Sequence, residues 1–347
     1  MHDSKMPDVN KPFITVIIPV HNSAEFLNHT LDALTESSYK QFEIIVVDDA
    51  SNDESIDICK SKGIRAIQLP NKSGPAAARN VGARNAKGDI LLFIDSDVLV
   101  NSTTLARIAE DFIGNPNISA VFGSYDESPL SKDVLSQFKN LLHHYIHMNS
   151  DEKAKTFWAG CGAIYREVYL QFGGFNELRY SNPSIEDIEL GIRLWRSGHQ
   201  ILLDKNLQVK HLKKWSLLNL LRTDIFDRAL PWSRLILESE ISQGDLNLKS
   251  TYKISALLVG FLLIAFILIL LHAISSYEFL SLRDLTAFLI IDLILLIILN
   301  RDIYKFFLDK RGIKFMIFSI PLHFLYYLYS GISFLISWII YKIRLSK

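Results

Sequence analysis

Cysteine is scarce: Cys59 and Cys161 are the only two in 347 residues. That is too few for the disulfide framework of a small secreted domain. Neither sign of charge prevails, since Lys plus Arg total 37 and Asp plus Glu total 37. A general nucleic-acid binder carries a basic excess, so no nucleic-acid partner is expected. Residues 1–12 hold no apolar core of the kind a secretory signal requires, which places the domain that follows in the cytosol. Two phosphate-binding signatures are also missing. The first strand runs into Pro19-Val20-His21-Asn22 where a dinucleotide-binding chain would have G-x-G-x-x-G, and no Gly-rich loop ends in Lys-Ser or Lys-Thr.

What the chain has in excess lies near its far end. From Ile254 to Tyr277 no side chain carries a fixed charge, enough apolar length for a helix to cross a bilayer. Leu285–Leu299 is interrupted only by Asp292, and Phe315–Tyr341 is uncharged but contains Pro321, His323 and Gly331. Three helices, 254–274, 282–299 and 315–341, are therefore expected within a transmembrane region over 251–347. Arg301, Lys305, Lys310, Arg311 and Lys314 mark the loop 300–314 as cytoplasmic, and the loop 275–284 with only Arg283 suits the outside. Three crossings would leave Lys342, Arg344 and Lys347 outside, against that rule, unless the last segment is kinked or a hairpin. Between the soluble part and the first span, 215–250 mixes Trp215, Leu218, Phe226 and Trp232 with Arg222, Arg228 and Arg234, a pattern for interfacial amphipathic helices.

Over 13–214 strand and helix signals alternate. The runs 14–20, 42–49, 64–70 and 89–95 are short, aliphatic and β-branched, as buried parallel strands are. Helical segments over 24–37, 53–62 and 76–87 fill the gaps. Repeated strand–helix–strand units predict an α/β fold with a mostly parallel central sheet, and ligands in such sheets sit beyond the carboxyl ends of the strands. Acidic residues stand at two of those ends: Asp48-Asp49 after the second strand, and Asp95-Ser96-Asp97 after the fourth. Hard oxygen ligands in an Asp-x-Asp turn suit a divalent cation, whereas single aspartates there would simply cap helices.

PVHN, VVDDAS, GPAAARNVGA and FIDSD, in this order and spacing, resemble the family 2 glycosyltransferases of the GT-A nucleotide-diphospho-sugar transferase fold. The resemblance implies an inverting transferase using a nucleotide-diphosphate sugar donor. It aligns Pro19, His21 and Asn22 with the turn along the nucleoside, and Asp48 and Asp49 with the acids contacting base and ribose. Arg79 and Asn80 match the helix start facing base and phosphates, where a helix N-terminus also favours anions. Asp95 and Asp97 match the metal and sugar-diphosphate site, and His211 the imidazole completing it; Mn²⁺ or Mg²⁺ is the implied cofactor.

Inverting transfer needs a carboxylate across the anomeric carbon from the leaving diphosphate. Within 184–199 apolar residues recur at helical spacing, with Glu186-Asp187 in the first turn. The resemblance makes Asp187 the base and Glu186 its support. Gly160 and Gly162, flanking Cys161, match a loop near the acceptor where substrate approaches backbone closely. Cys161 itself reads as a packing residue, and 200–216 as two short strands. Among His143, His144 and His147, with Lys139 nearby, His143 and His147 share a helical face as an incomplete zinc pair, and acceptor-phosphate recognition or plain interfacial packing is the reading preferred to zinc. The expectation is a membrane-bound enzyme at the cytosolic face, moving sugar to a lipid acceptor in the bilayer, either a polyprenyl phosphate or a glycolipid or diacylglycerol. A processive polysaccharide synthase is the first alternative, although RTDIFDRALPW (222–232) lacks the Gln of the processive element and has Pro231 before Trp232. A non-catalytic scaffold with a relic donor site is the second.

Overall fold

The computed structural model describes residues 11–239, 249–274 and 281–345. Most of the expected tail 1–12, the loop 275–280, part of the interfacial stretch and Lys347 lie outside the described residues. The chain divides into two compact units, one formed by 1–131 with 147–214 and the other by 132–146 with 215–347.

In chain order the elements are β1 (Ile14–Val20), α1 (Ala24–Thr35), β2 (Phe42–Asp48), α2 (Ser55–Ser61), β3 (Arg65–Gln68), α3 (Pro75–Asn85), β4 (Ile90–Ile94), β5 (Val98–Leu99), α4 (Thr104–Gly114) and β6 (Ile118–Tyr125). Next come α5 (Val134–Met148), β7 (Lys153–Ala154), β8 (Cys161–Tyr165), α6 (Arg166–Gln171), α7 (Glu186–Arg196) and β9 (Gln200–His211). Then follow α8 (Leu217–Arg222), a π-helical turn (Thr223–Ala229), α9 (Leu230–Ser239), α10 (Ser250–Ile274), α11 (Leu282–Leu299) and α12 (Arg301–Leu345).

The first unit is built on one sheet ordered β3-β2-β1-β4-β8-β6-β9-β5, with β7 also on β9. Its β3-β2-β1-β4 half is parallel, as strand–helix–strand crossovers dictate. The sheet as a whole is mixed, because β8 inserts antiparallel between β4 and β6. Apolar clusters cover both faces. Val16, Ile18, Leu27, Leu31 and Phe112 pack on one side, and Ile17, Phe93, Phe122, Phe157 and Leu190 on the other. Alternation along each strand assigns the side.

The segment expected as two strands is the single strand β9. Asp204-Lys205-Asn206 reads as a turn, and the Asn206 N–H does donate to Asp204 Oδ1 at 2.9 Å. The ladder with β6 absorbs this as a register shift between Phe122 and Ser124. Gly123 sits there because a Cβ would lie 1.9 Å from the Leu207 carbonyl oxygen.

The second unit is helical. On α5, Phe138, Leu141, Leu142 and Ile146 pack against Ile303, Tyr304, Phe307 and Phe315 of α12. Asp224, in the π-helical turn, is 3% exposed and takes Lys139 Nζ on both oxygens at 2.6 Å. Arg228 Nη1 (3.2 Å) and the Tyr329 hydroxyl complete this cluster. Lys139, near the histidines of α5, is thus committed to Asp224. Burial pushes its ammonium down to about 8.

The stretches Ser250–His272 and Arg301–Arg344 are apolar and long enough to cross a membrane. These are two stretches where three were expected: α11 carries Arg283, Asp284 and Asp292 within its 18 residues. The expected loop 300–314 is instead helical up to a break at Gly312, whose φ of 81° lies in the left-handed region. Ile303, Tyr304 and Phe307 give that basic segment a buried apolar face, which the count of its charges conceals.

Candidate active site

β4 ends at Ile94, so Asp95 emerges from the carboxyl edge of the sheet, next to the turn that leads into β5. Val98 of β5 pairs with His211 at the end of β9, and the Leu212 N–H donates to the Asp97 carbonyl at 2.9 Å. Short as it is, β5 brings Asp97 Oδ2 to 3.6 Å from His211 Nε2. Burial raises the Asp97 carboxyl, but His211 and Lys213 outweigh it and hold this group below the ordinary carboxylate range.

From α3, Arg79 reaches two carboxylates. Its Nη2 lies 2.7 Å from Asp95 Oδ1 and its Nη1 2.9 Å from Glu186 Oε1, with the arginine side chain 7% exposed. The guanidinium was expected to face base and phosphates. It is instead spent bridging the end of β4 to α7, its fork shared between the buried Glu186 and the half-buried Asp95. Despite burial, Asp95, Glu186 and Asp187 together keep it firmly charged. Asn80 turns inward too: its Oδ1 accepts from the Tyr169 hydroxyl (2.5 Å) and the Phe175 N–H (3.0 Å), and its Nδ2 donates to the Phe175 carbonyl and Glu177.

Glu186-Asp187 open α7. The second Glu186 oxygen accepts from the Ser184 N–H at 3.0 Å. Asp187 Oδ2 accepts from the Ala159 N–H at 2.9 Å and Oδ1 from its neighbour Ile188 at 2.8 Å. Burial, and then the Glu186 charge, push the Asp187 carboxyl up to about 7. A carboxyl poised there is matched to proton transfer at neutral pH. Glu189 belongs elsewhere, paired with Arg193 at 2.9 Å.

The other strand end carries the nucleoside-side candidates. Pro19 stands in β1 beside Val47, and His21 Nδ1 lies 2.8 Å from the Asp49 carbonyl. Asn22 adopts φ 52°, its Oδ1 accepting from the Asn52 N–H at 2.8 Å. Both Asp48 oxygens face the Ser51 N–H at 3.3 Å. Asp49, 3% exposed, accepts from Ser73 (2.6 Å) and Gly74 (2.8 Å), which ties β2 to the loop entering α3. Here a glycine is required: Gly74 has φ 88°, and a Cβ would lie 2.3 Å from the Ser181 carbonyl oxygen.

Gly160 and Gly162 were expected to admit substrate. The room they leave is taken up internally, since a Cβ on Gly160 would lie 2.4 Å from the Trp158 indole and one on Gly162 2.3 Å from the Trp158 carbonyl oxygen. Cys161 between them is buried and unbridged, and burial raises its thiol far from any nucleophilic range. Of the histidines on α5, His147 Nδ1 lies 3.1 Å from the Gly123 carbonyl and His144 stacks on Phe306.

Among the described residues no three His, Cys, Asp or Glu side chains converge on one point. Asp97 and His211 offer one carboxylate and one imidazole, a donor pair that fits a hard or borderline divalent cation completed by water and phosphate oxygens. Asp95 is turned toward Arg79. The sequence did not single out Tyr125, whose ring stacks on His211 at 4.3 Å, or Trp158, which meets Tyr125 edge-on at 4.8 Å.

Residues 15–173 match the family described as Glycosyl transferase family 2. Glycosyltransferase GlyA of Streptococcus pneumoniae is 43% identical over 222 residues, covering 59% of this chain and 31% of that one. Poly(ribitol-phosphate) beta-N-acetylglucosaminyltransferase TarS of Staphylococcus aureus is 35% identical over 102 residues, 27% of this chain and 18% of that one. The chain thus spans less than a third of either relative. A mannosyltransferase of Pyrobaculum calidifontis, solved in complex with GDP-Man and Mn²⁺, superimposes with a TM-score of 0.58 at 17% identity, over 94% of this chain and 88% of that one. That likeness establishes the fold, a mixed α/β sheet core of the GT-A kind followed by C-terminal helices.

Proposed function

We propose, from the match of residues 15–173 to glycosyl transferase family 2, that the chain moves a sugar from a nucleotide-diphosphate donor to a lipid acceptor with inversion. One observation carries the reading: Arg79 binds Asp95 at the β4 edge and Glu186 of the α7 turn at once, which brings the first Asp-x-Asp carboxylate and the turn that holds Asp187 to one cation. The nucleoside would lie along Pro19, His21 and Asn22 with Asp48 and Asp49, and the sugar diphosphate beside Asp95 and Asp97.

In the reaction, the acceptor hydroxyl passes its proton to the Asp187 carboxylate as its oxygen bonds the anomeric carbon. The bond from that carbon to the diphosphate breaks, and its electron pair leaves with the nucleoside diphosphate. Glu186 keeps Asp187 basic by its charge, and Arg79 keeps Glu186 in place. A divalent cation held by Asp97 and His211 would stabilise charge on the departing diphosphate; the Pyrobaculum transferase with its Mn²⁺ supports such a requirement, with Mg²⁺ the other candidate.

A place in the membrane is supported by the two apolar helical stretches, a cytosolic catalytic unit by the basic residues of 301–314, and a lipid acceptor is the reading that follows from that location. The relative named for poly(ribitol-phosphate) favours a second reading, a polymeric acceptor. Membranes bearing the full chain, incubated with Mn²⁺ or Mg²⁺ and radiolabelled nucleotide sugars, separate the two. Label in the organic extract identifies a lipid, and label only in polymer rejects it. Asp187→Asn is expected to lower transfer about a hundredfold or more while leaving donor binding in place. Undiminished transfer would remove Asp187 from the base role.

A further inference from the structure

The segment 158–160 touches three of the candidate groups at once. It leads into β8, whose first residue Cys161 pairs with Ile94 at the end of β4. One step further along that ladder, the Gly160 carbonyl accepts from the Asp95 N–H at 3.4 Å. The neighbouring Ala159 N–H holds Asp187 at 2.9 Å. Trp158 makes the third connection: its indole meets the Tyr125 ring at 4.8 Å and 81°, and Tyr125 lies flat on His211 at 4.3 Å and 22°. The indole also rests against Gly160, where a Cβ would come within 2.4 Å of it. The indole is therefore a wedge in contact with both the segment whose backbone anchors Asp187 and the ring stacked on His211.

We propose that Trp158 is a positioning residue that fixes the spacing between Asp187 and His211, and so between the base and the diphosphate end of the crevice. The inference rests on the transferase reading above. It also explains why glycine occupies position 160: the wedge seats only where no side chain intervenes. Aromatic pairs in edge-to-face or stacked contact attract beyond their burial and so favour one orientation of the ring. Misplacing a reacting group by about 1 Å costs on the order of a hundredfold in rate.

The test uses the full chain in detergent, in four forms: wild type, Trp158→Phe, Trp158→Ala and Gly160→Ala. His211 is 6% exposed beneath Tyr125, so its carbethoxylation by diethyl pyrocarbonate, mapped by mass spectrometry, reads its seating without metal or activity. His144, equally buried and stacked on Phe306, reports unfolding of the helical unit, and the thiol of Cys59, buried in the sheet unit, reports unfolding of that unit by its reactivity to a thiol reagent. Trp158→Ala and Gly160→Ala are expected to expose His211 several-fold while His144 and Cys59 stay protected, and Trp158→Phe to restore protection. Transfer by the two disruptive forms should fall about a hundredfold in kcat with donor KM little changed, and Trp158→Phe should recover most of it. Protection of His211 at the wild-type level in both disruptive forms would overturn the proposal. Absence of transfer by wild type with every donor would overturn the transferase reading, and the carbethoxylation result would still judge the wedge.

Discussion

Asp187 accepts two backbone N–H bonds, which favour its charge, yet burial and Glu186 push its carboxyl up to about 7. As a base it must be deprotonated, so transfer is expected to rise with pH through an acidic limb near 7 and then level off. Two units below the limb the rate should be about one hundredth of its plateau. Rates of kcat/KM from pH 5 to 9 check this, and a flat profile is incompatible with an Asp187 base. Arg79 makes a second residue-scale prediction. Arg79→Met removes the shared cation and strands Glu186, 4% exposed, in an apolar setting, a loss of about 3–5 kcal/mol in stability measured by denaturant. The acids themselves were legible, because carboxylates at strand ends and in a helix first turn stand out from hydrophobic patterns. Their partners were not. Arg79 read as an anion contact because nothing in its neighbourhood along the chain hints at Glu186, and no spacing joins Tyr125 or Trp158 to His211.

Among the elements, β1, β2 and β4 were readable because each is rich in aliphatic residues buried along most of its length. β3, at the sheet edge, has exposed ends and showed through Ile64, Ile67 and Leu69. β5 and β7, of two residues each, carry no periodicity at all. β9 was misread because Asp204-Lys205-Asn206 has turn chemistry, while the bulge opposite Gly123 lets the strand continue. Asp204 has a second task at that bulge: it takes Arg107 of α4 on both oxygens, with Nη2 at 2.8 Å. Asp111, one turn along α4, has its Oδ2 buried without a hydrogen-bond donor. Burial and then the Asp204 charge push the Asp111 carboxyl up to about 7. An aspartate in the unfolded chain titrates near ~3.9, so between these values the folded protein holds the extra proton. Its contribution to stability is complete below the lower value and is lost as pH rises through 7. Asp111→Asn is expected to melt at a less pH-dependent temperature and above wild type at pH 8. Parallel melting curves of the two proteins from pH 5 to 8 would show that α4 and β9 are not joined in this way.

On the scale of the whole molecule, the division into a mixed-sheet unit and an apolar helical unit was visible in composition. The assignment of 132–146 to the second unit was not, because α5 resembles any amphipathic helix until its partners are known. If Ser250–His272 and Arg301–Arg344 cross a bilayer, as proposed, the chain should stay in the membrane pellet through a carbonate wash and enter solution only with detergent. Recovery in the wash would exclude the spans. The packing of α5 also imposes an order on synthesis. Phe138, Leu141 and Leu142 leave the ribosome long before Phe307 and Phe315 exist to cover them. At about 5–20 residues per second, the roughly 160 residues between imply a wait of about 10–30 s. Through that interval the nascent chain presents an uncovered apolar ridge, and a chaperone or the lipid surface must shield it until translation supplies its own cover.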